Sequence, residues 1–110
     1  MAEVLFNDVV TLVDGGPAVS RDVNISQDIE GPWAVVAMPV DSGPGTPVNI
    51  VIDRLFMGVA KNLVASTPLT NNVPNAFDRT EVATRVRVSL TPGVTAPDGG
   101  VRLQLVGTRR

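Results

Sequence analysis

Val82-Ala83-Thr84-Arg85-Val86-Arg87-Val88-Ser89-Leu90 alternates at nearly every step. Extended backbone places Val82, Thr84, Val86, Val88 and Leu90 on one face and Ala83, Arg85, Arg87 and Ser89 on the other, the mark of a half-buried strand. After a connection rich in Thr, Pro, Gly and Asp, Val101-Arg102-Leu103-Gln104-Leu105 repeats the alternation. Two such runs around a turn-rich loop predict an antiparallel hairpin. With Leu90 opposite Val101, Val88 meets Leu103 and Val86 meets Leu105, so both strands turn their apolar sides to one core.

The rest of the chain continues in the same style. Twenty of its 110 residues are Val, and β-branched enrichment on this scale favours strands. Asp14-Gly15-Gly16-Pro17 signals a turn and leads into a strand over Ala18–Ser26, with Val19, Arg21, Val23 and Ile25 on one side. Arg21 is the odd member of that set, placed near the strand's start where it reaches water. Gln27–Pro32 is polar and ends in Gly-Pro, which predicts a loop. Trp33–Met38 is a continuous apolar run, which predicts a strand covered on both faces with Pro39 at its end. Asp41–Pro47 is a loop, and Val48–Asp53 a strand with Val48, Ile50 and Ile52 inward.

Leu55–Ala65 carries both helical spacing and an interior Gly58 that costs a helix about 1 kcal/mol; the neighbouring strand and Val residues decide for strand. Residues 66–81 hold two Pro and three Asn with little periodicity and predict a long loop. Val4–Val13 alternates poorly around Asn7 and Asp8; residues 1–10 are an N-terminal arm or an edge strand. The expectation is a single all-β domain over residues 1–110: an antiparallel β-sandwich or small barrel, jelly-roll forms included, with long Pro/Gly/Asn loops.

Composition narrows function. There is no Cys, His or Tyr, which removes disulfides, thiolate sites, the commonest general base and the usual stacking platforms. The net charge of −2 argues against a partner bound through its phosphates, so no nucleic acid is expected. Residues 1–50 hold seven acids and one base, and residues 51–110 four acids and eight bases, giving halves of −6 and +4. The longest apolar run, Trp33–Val40, is too short to span a bilayer as a helix, and the first residues do not read as a secretory signal; no membrane partner is expected.

No catalytic or cofactor-binding set stands out, so the chain is read as no enzyme, with no cofactor. Asp14, Asp22, Asp28, Glu30 and Asp41 are oxygen ligands by composition, but no Asp-x-Asp-x-Asp-Gly loop organises them and no metal is assigned. Asp is expected at turns, where it caps the backbone. Asn24-Ile25-Ser26 fits a glycosylation acceptor and, without a secretory signal, is taken as chance. Trp33 opens the most apolar strand and belongs to the core. Arg85, Arg87 and Arg102 share the outer face of the expected hairpin, with no acid in either of its strand runs. Three outcomes are open: a solvated face with counter-ions, pairing with acids of a neighbouring strand in the same subunit, or contact with an acidic surface on another protein. Arg109 and Arg110, in a tail that can reach neighbours, join them as candidate interface residues.

In its general character, small, Val-rich, cysteine-free and β, with long loops and a split charge, the chain resembles the head decoration, or cement, proteins of tailed phages. The resemblance rests on no single motif. It implies a virion structural protein on the capsid surface, made in the host cytoplasm, contacting the major capsid protein or another virion protein, and forming a homo-oligomer with a trimer favoured. Alternatives are a head-completion or tail component, or a carbohydrate-binding or adhesive β-sandwich module.

Overall fold

The computed structural model describes residues 3–43 and 45–109, leaving aside the side chains of residues 25–31 and 109. Seven strands follow in order: β1 (Glu3–Val10), β2 (Val19–Pro39), β3 (Asn49–Phe56), β4 (Val59–Pro68), β5 (Asn75–Arg79), β6 (Ala83–Thr91) and β7 (Val101–Arg109). They build two antiparallel sheets of four strands that share β2, a β-sandwich. One sheet runs β1-β7-β2-β5, the other β2-β6-β3-β4.

Sharing is possible because β2 is 21 residues long. Val19–Asn24 pair with Leu90–Arg85 of β6, while Ala34–Pro39 pair with Val106–Val101 of β7, and both registers break in between. The break falls on the segment read as a loop. Gln27–Pro32 is instead extended backbone that carries the chain from one sheet to the other. Its Gly31 and Pro32 suit a strand that is leaving its ladder, since Pro cannot donate to one.

The core lies between the sheets. Val23, Ile50, Ile52, Val86, Val88 and Leu90 enter from one side and Val10, Trp33, Val35, Ala37, Val101, Leu103 and Leu105 from the other. Leu12, Val48 and Leu69 close the end from which the loops emerge. Each large aliphatic side chain taken fully from water contributes roughly 1.5–3 kcal/mol, and among the described residues no polar or charged residue is buried. Arg21 keeps its inward phase by pairing across the sandwich's open side with Asp8 of β1, Nε to Oδ2 at 3.0 Å. The pair is about two-fifths exposed, where water reaches it as expected.

Several sequence expectations are corrected. The inward faces of 86–90 and 101–105 are as read, but β6 and β7 do not pair: they lie in opposite sheets, and residues 92–100 arch between the layers. Alternation fixes which side of a strand is buried and leaves its partner open. The alternation also shifts phase at the start of β6: Ala83 is buried and Val82 is 41% exposed, because pairing with β2 jumps from Asn24 to Ile29. Trp33–Met38 alternates, with Trp33, Val35 and Ala37 buried and Ala34, Val36 and Met38 half-buried, so one face is fully covered and the other only partly. Residues 66–81 are not one loop: β4 runs to Pro68, and Asn75–Arg79 form β5 against Trp33–Ala37. Strand is confirmed on both sides of Gly58, which has φ +79° and follows Met57 at φ +51°, the two positive values of a tight hairpin turn. Residues 3–10 are an edge strand on β7 of their own chain.

Candidate interaction surface

The outer face of the β2-β6-β3-β4 sheet carries two of the arginines singled out by sequence, and it is already paired. Asp22 of β2 lies opposite Arg87 of β6 and takes both Nε (2.7 Å) and Nη2 (3.1 Å), while Arg85 Nη2 reaches the same carboxylate at 3.3 Å. Asp53 of β3 stands on the far side of Arg87 and accepts from Asn62 Nδ2 of β4 at 3.0 Å. The row Asp22-Arg87-Asp53-Asn62 thus alternates donors and acceptors across four strands. Ser20 and Ser89 share a hydrogen bond at 2.9 Å in the next row. Hydrogen bonding by Arg87 holds the Asp22 carboxyl below its ordinary pKa.

Arg102 does not belong to this group. It sits on the other sheet, exposed, opposite Val9 and Met38, and among the described residues it makes no ion pair. Arg109 ends β7 opposite Ile29, with its side chain outside the description, and Arg110 lies outside the described residues. The expected three-arginine face is therefore split between two sheets. Replacing Asp22 by Asn should leave two guanidinium groups, two residues apart on one face of β6, without their carboxylate and lower stability by about 0.5–1 kcal/mol, read by urea unfolding at low salt and fading at high salt.

The two ends of the sandwich differ. At one end the loops 11–18, 40–48, 69–74 and 92–100 are tied to each other. Asp14 Oδ1 accepts from the Ala96 amide at 2.7 Å, and Gly15 N donates to Gly93 O at 2.8 Å. Asp98 accepts from the Ser42 amide and hydroxyl, and Asn72 and the Asp41 backbone exchange two bonds of 2.8 Å. Asn75 donates to the carbonyls of Ala37, Thr70 and Val73. The charged residues of these loops are Asp14, Asp41 and Asp98. Val13 (68%) and Val94 (76%) are left in water beside them.

The opposite end bears the β3–β4 hairpin, and its tip is apolar. Phe56 is 70% exposed, Met57 88% and Val59 69%, with Val82 nearby at the start of β6. A groove of about 370 Å³ lined by Arg54, Leu55, Phe56, Val82, Ala83 and Thr84 opens beneath the tip. Arg54 occupies the inward phase, opposite Val86 on one side and Lys61 on the other, so two cations face each other across β3 and β4. Arg54 Nη1 donates to Val82 O at 3.3 Å, and its Nε is buried without an acceptor. From Arg54 to Phe77 the sequence has no acid.

This tip was missed from sequence because Leu55–Ala65 read as one strand. The available signal was the doublet Met57-Gly58 inside it, flanked by Phe56 and Val59, a turn with apolar residues where polar ones are usual.

Near the same end, Trp33 Nε1 donates to Glu81 O at 2.6 Å, and the Glu81 side chain pairs with Arg79. Trp33 is a core residue, as the sequence indicated. The bond from Arg79 brings the Glu81 pKa down to about 2. A carboxylate with a lowered folded-state pKa adds stability above its unfolded value of 4.5 and loses it as pH falls towards 2. Acid unfolding of Glu81→Gln should accordingly be shallower than that of the parent between those values, as followed by circular dichroism.

Among the described residues no group of three metal-ligating side chains forms, and no helix of the structure is long and apolar enough to cross a membrane. No family model matches the sequence. No curated protein matches it. Among solved structures, a chain of the infectious bursal disease virus Gx strain is similar over 96% of this chain, with 11% identity and a TM-score of 0.48. A chain from the T13 particle of the same virus gives 99%, 12% and 0.45, and one of the Gt strain 97%, 12% and 0.39. This chain spans 31% of the length of each of them. At these values the likeness assigns no role.

Proposed function

We propose that the chain is a non-enzymatic structural protein of a virion that works by assembling with other protein surfaces. The observation that carries this reading is the hairpin tip. Phe56, Met57 and Val59 stand largely in water on a turn fixed by two positive φ values, whereas the opposite end is knit together by side-chain caps. Contiguous exposed apolar residues on a rigid support mark an interaction site. The general resemblance to phage decoration proteins supplies the setting: a capsid surface, capsid subunits as partners, and a trimer as the favoured homo-oligomer. Arg102, Arg109 and Arg110 are proposed as further interface residues. Arg85 and Arg87, 52% and 41% exposed at their side chains, would contribute the edges that Asp22 leaves open.

An antibody raised against the purified protein tests the reading directly. Immunogold labelling of particles released by the source organism or its host should mark their surface, with the chain present in their peptide digest. Particles free of both label and peptides would overturn it.

A further inference from the structure

The two ends of the sandwich complement one another. The hairpin end offers a projecting apolar tip backed by the facing cations Arg54 and Lys61, and among the described residues neither cation has a carboxylate partner. Arg79 and Glu81, the charged pair beside it, satisfy each other. The loop end offers two exposed valines, Val13 and Val94, joined through the Gly15–Gly93 and Asp14–Ala96 bonds into one knoll. Around that knoll stand Asp14, Asp41 and Asp98, with no cation in the four loops.

We propose that the hairpin tip of one copy docks on the loop end of a second copy, a head-to-tail contact that rests on the assembling role put forward above. Phe56, Met57 and Val59 cover Val13 and Val94, and Lys61 and Arg54 face the acids at the rim. The contact is heterologous: each copy gives one end and receives the other, so the angle between copies sets whether the series closes into a ring or runs on. Opposite charge at the rim speeds encounter and selects the orientation, and the apolar centre holds it. An isologous pairing of two tips is disfavoured, because it would bring two Arg54–Lys61 pairs together while the acid beside each tip, Glu81, is already held by Arg79.

The test is sedimentation velocity of the purified chain over a range of concentrations and salt, with two single variants. Met57→Asp puts an acid on the tip, and Val94→Lys puts a cation on the loop end; both positions are exposed and outside the core, so both variants should fold, as circular dichroism will check. The parent should grow in mass with concentration, and added salt should weaken that growth. Each variant alone should associate at least about tenfold more weakly. Mixed in equal amounts, the two should recover association, since Met57→Asp retains an intact loop end and Val94→Lys an intact tip. A parent that is monomeric throughout, a Val94→Lys variant that associates as the parent does, or a mixture that stays dissociated would each overturn the head-to-tail contact. Those outcomes leave the virion role standing if the immunogold label is found, and label-free particles remove that role whatever the solution mass.

Discussion

Trp33→Ala should destabilise the fold by about 3–5 kcal/mol, a large share of what a domain of this size has in hand. Trp33 is 2% exposed and its indole fills the space where β2 has just joined the β7 sheet. Truncation leaves a cavity there, removes the donor to Glu81 O at 2.6 Å, and opens the approach to the β5–β6 connection that carries the Arg79–Glu81 pair. Gly107 of β7 packs so closely on Trp33 that a Cβ at Gly107 would stand 2.9 Å from that of Trp33, so the neighbouring strand has little substance of its own with which to refill the gap. Urea unfolding should show a lower midpoint with an unchanged slope. Trp33→Phe separates the two contributions: it keeps most of the volume and loses the hydrogen bond with a small part of the packing, so its cost should be nearer about 1–2 kcal/mol. Equal losses in the two variants would show that packing is not what Trp33 supplies.

Gly100→Ala is the second large loss, about 2–4 kcal/mol, and it acts through the backbone. Gly100 has φ +74°, a left-handed conformation that costs an L residue about 1–2 kcal/mol. An added Cβ would also meet the Val10 carbonyl oxygen at 2.8 Å and Val9 Cγ1 at 3.3 Å. The residue stands at the entry to β7, where its amide donates to Pro97 O and its carbonyl accepts from Val40 N, so relief by moving the chain would disturb two loops. Gly58 is the control. It too has positive φ, at +79°, but a Cβ there meets nothing within 4 Å. Gly58→Ala should therefore show the conformational part alone, and a cost equal to that of Gly100→Ala would remove the steric part of the account.

Much of the layering was legible. The inward sets Val48-Ile50-Ile52, Val86-Val88-Leu90 and Val101-Leu103-Leu105 are all buried, because period-two alternation directly reports which face of a strand meets the core. What alternation does not encode is the partner. Val86 to Leu90 and Val101 to Leu105 carry the same pattern whether they form a hairpin or face each other across the sandwich, and the arch of residues 92–100 decides for the second. Gln27–Pro32 misled for a related reason. Polar residues followed by Gly-Pro are turn chemistry, yet here they serve a strand in transit between two ladders, and only the distant strands β6 and β7 reveal that it continues.

The candidate site divides in the same way. Arg85 and Arg87 stood out as cations without nearby acids, and Asp22, which pairs with both, is 63 and 65 positions away. Sequence distance hid the partner. The hairpin tip was hidden by its composition, since Phe56-Met57-Gly58-Val59 looks like strand interior until the turn is placed between Met57 and Gly58. That the acidic caps Asp14, Asp41 and Asp98 gather at the far end was invisible, because each is an ordinary turn residue taken alone.

The shared strand β2 has a consequence for the order of events. In the β1-β7-β2-β5 sheet, β7 lies between β1 and β2, yet it follows every other strand in sequence. During synthesis β1 and the second half of β2 have no ladder between them until β7 appears, although β3 and β4 already adjoin through their short turn. Such a chain forms its local hairpin early and closes its long-range pairs last, and topologies dominated by distant pairing fold slowly. Through that interval the edges of β1 and of Ala34–Pro39 that β7 will fill are uncovered, open to pairing with other nascent chains. Dense expression should therefore favour intermolecular strand exchange, and conditions that slow initiation should raise the yield of correctly closed protein.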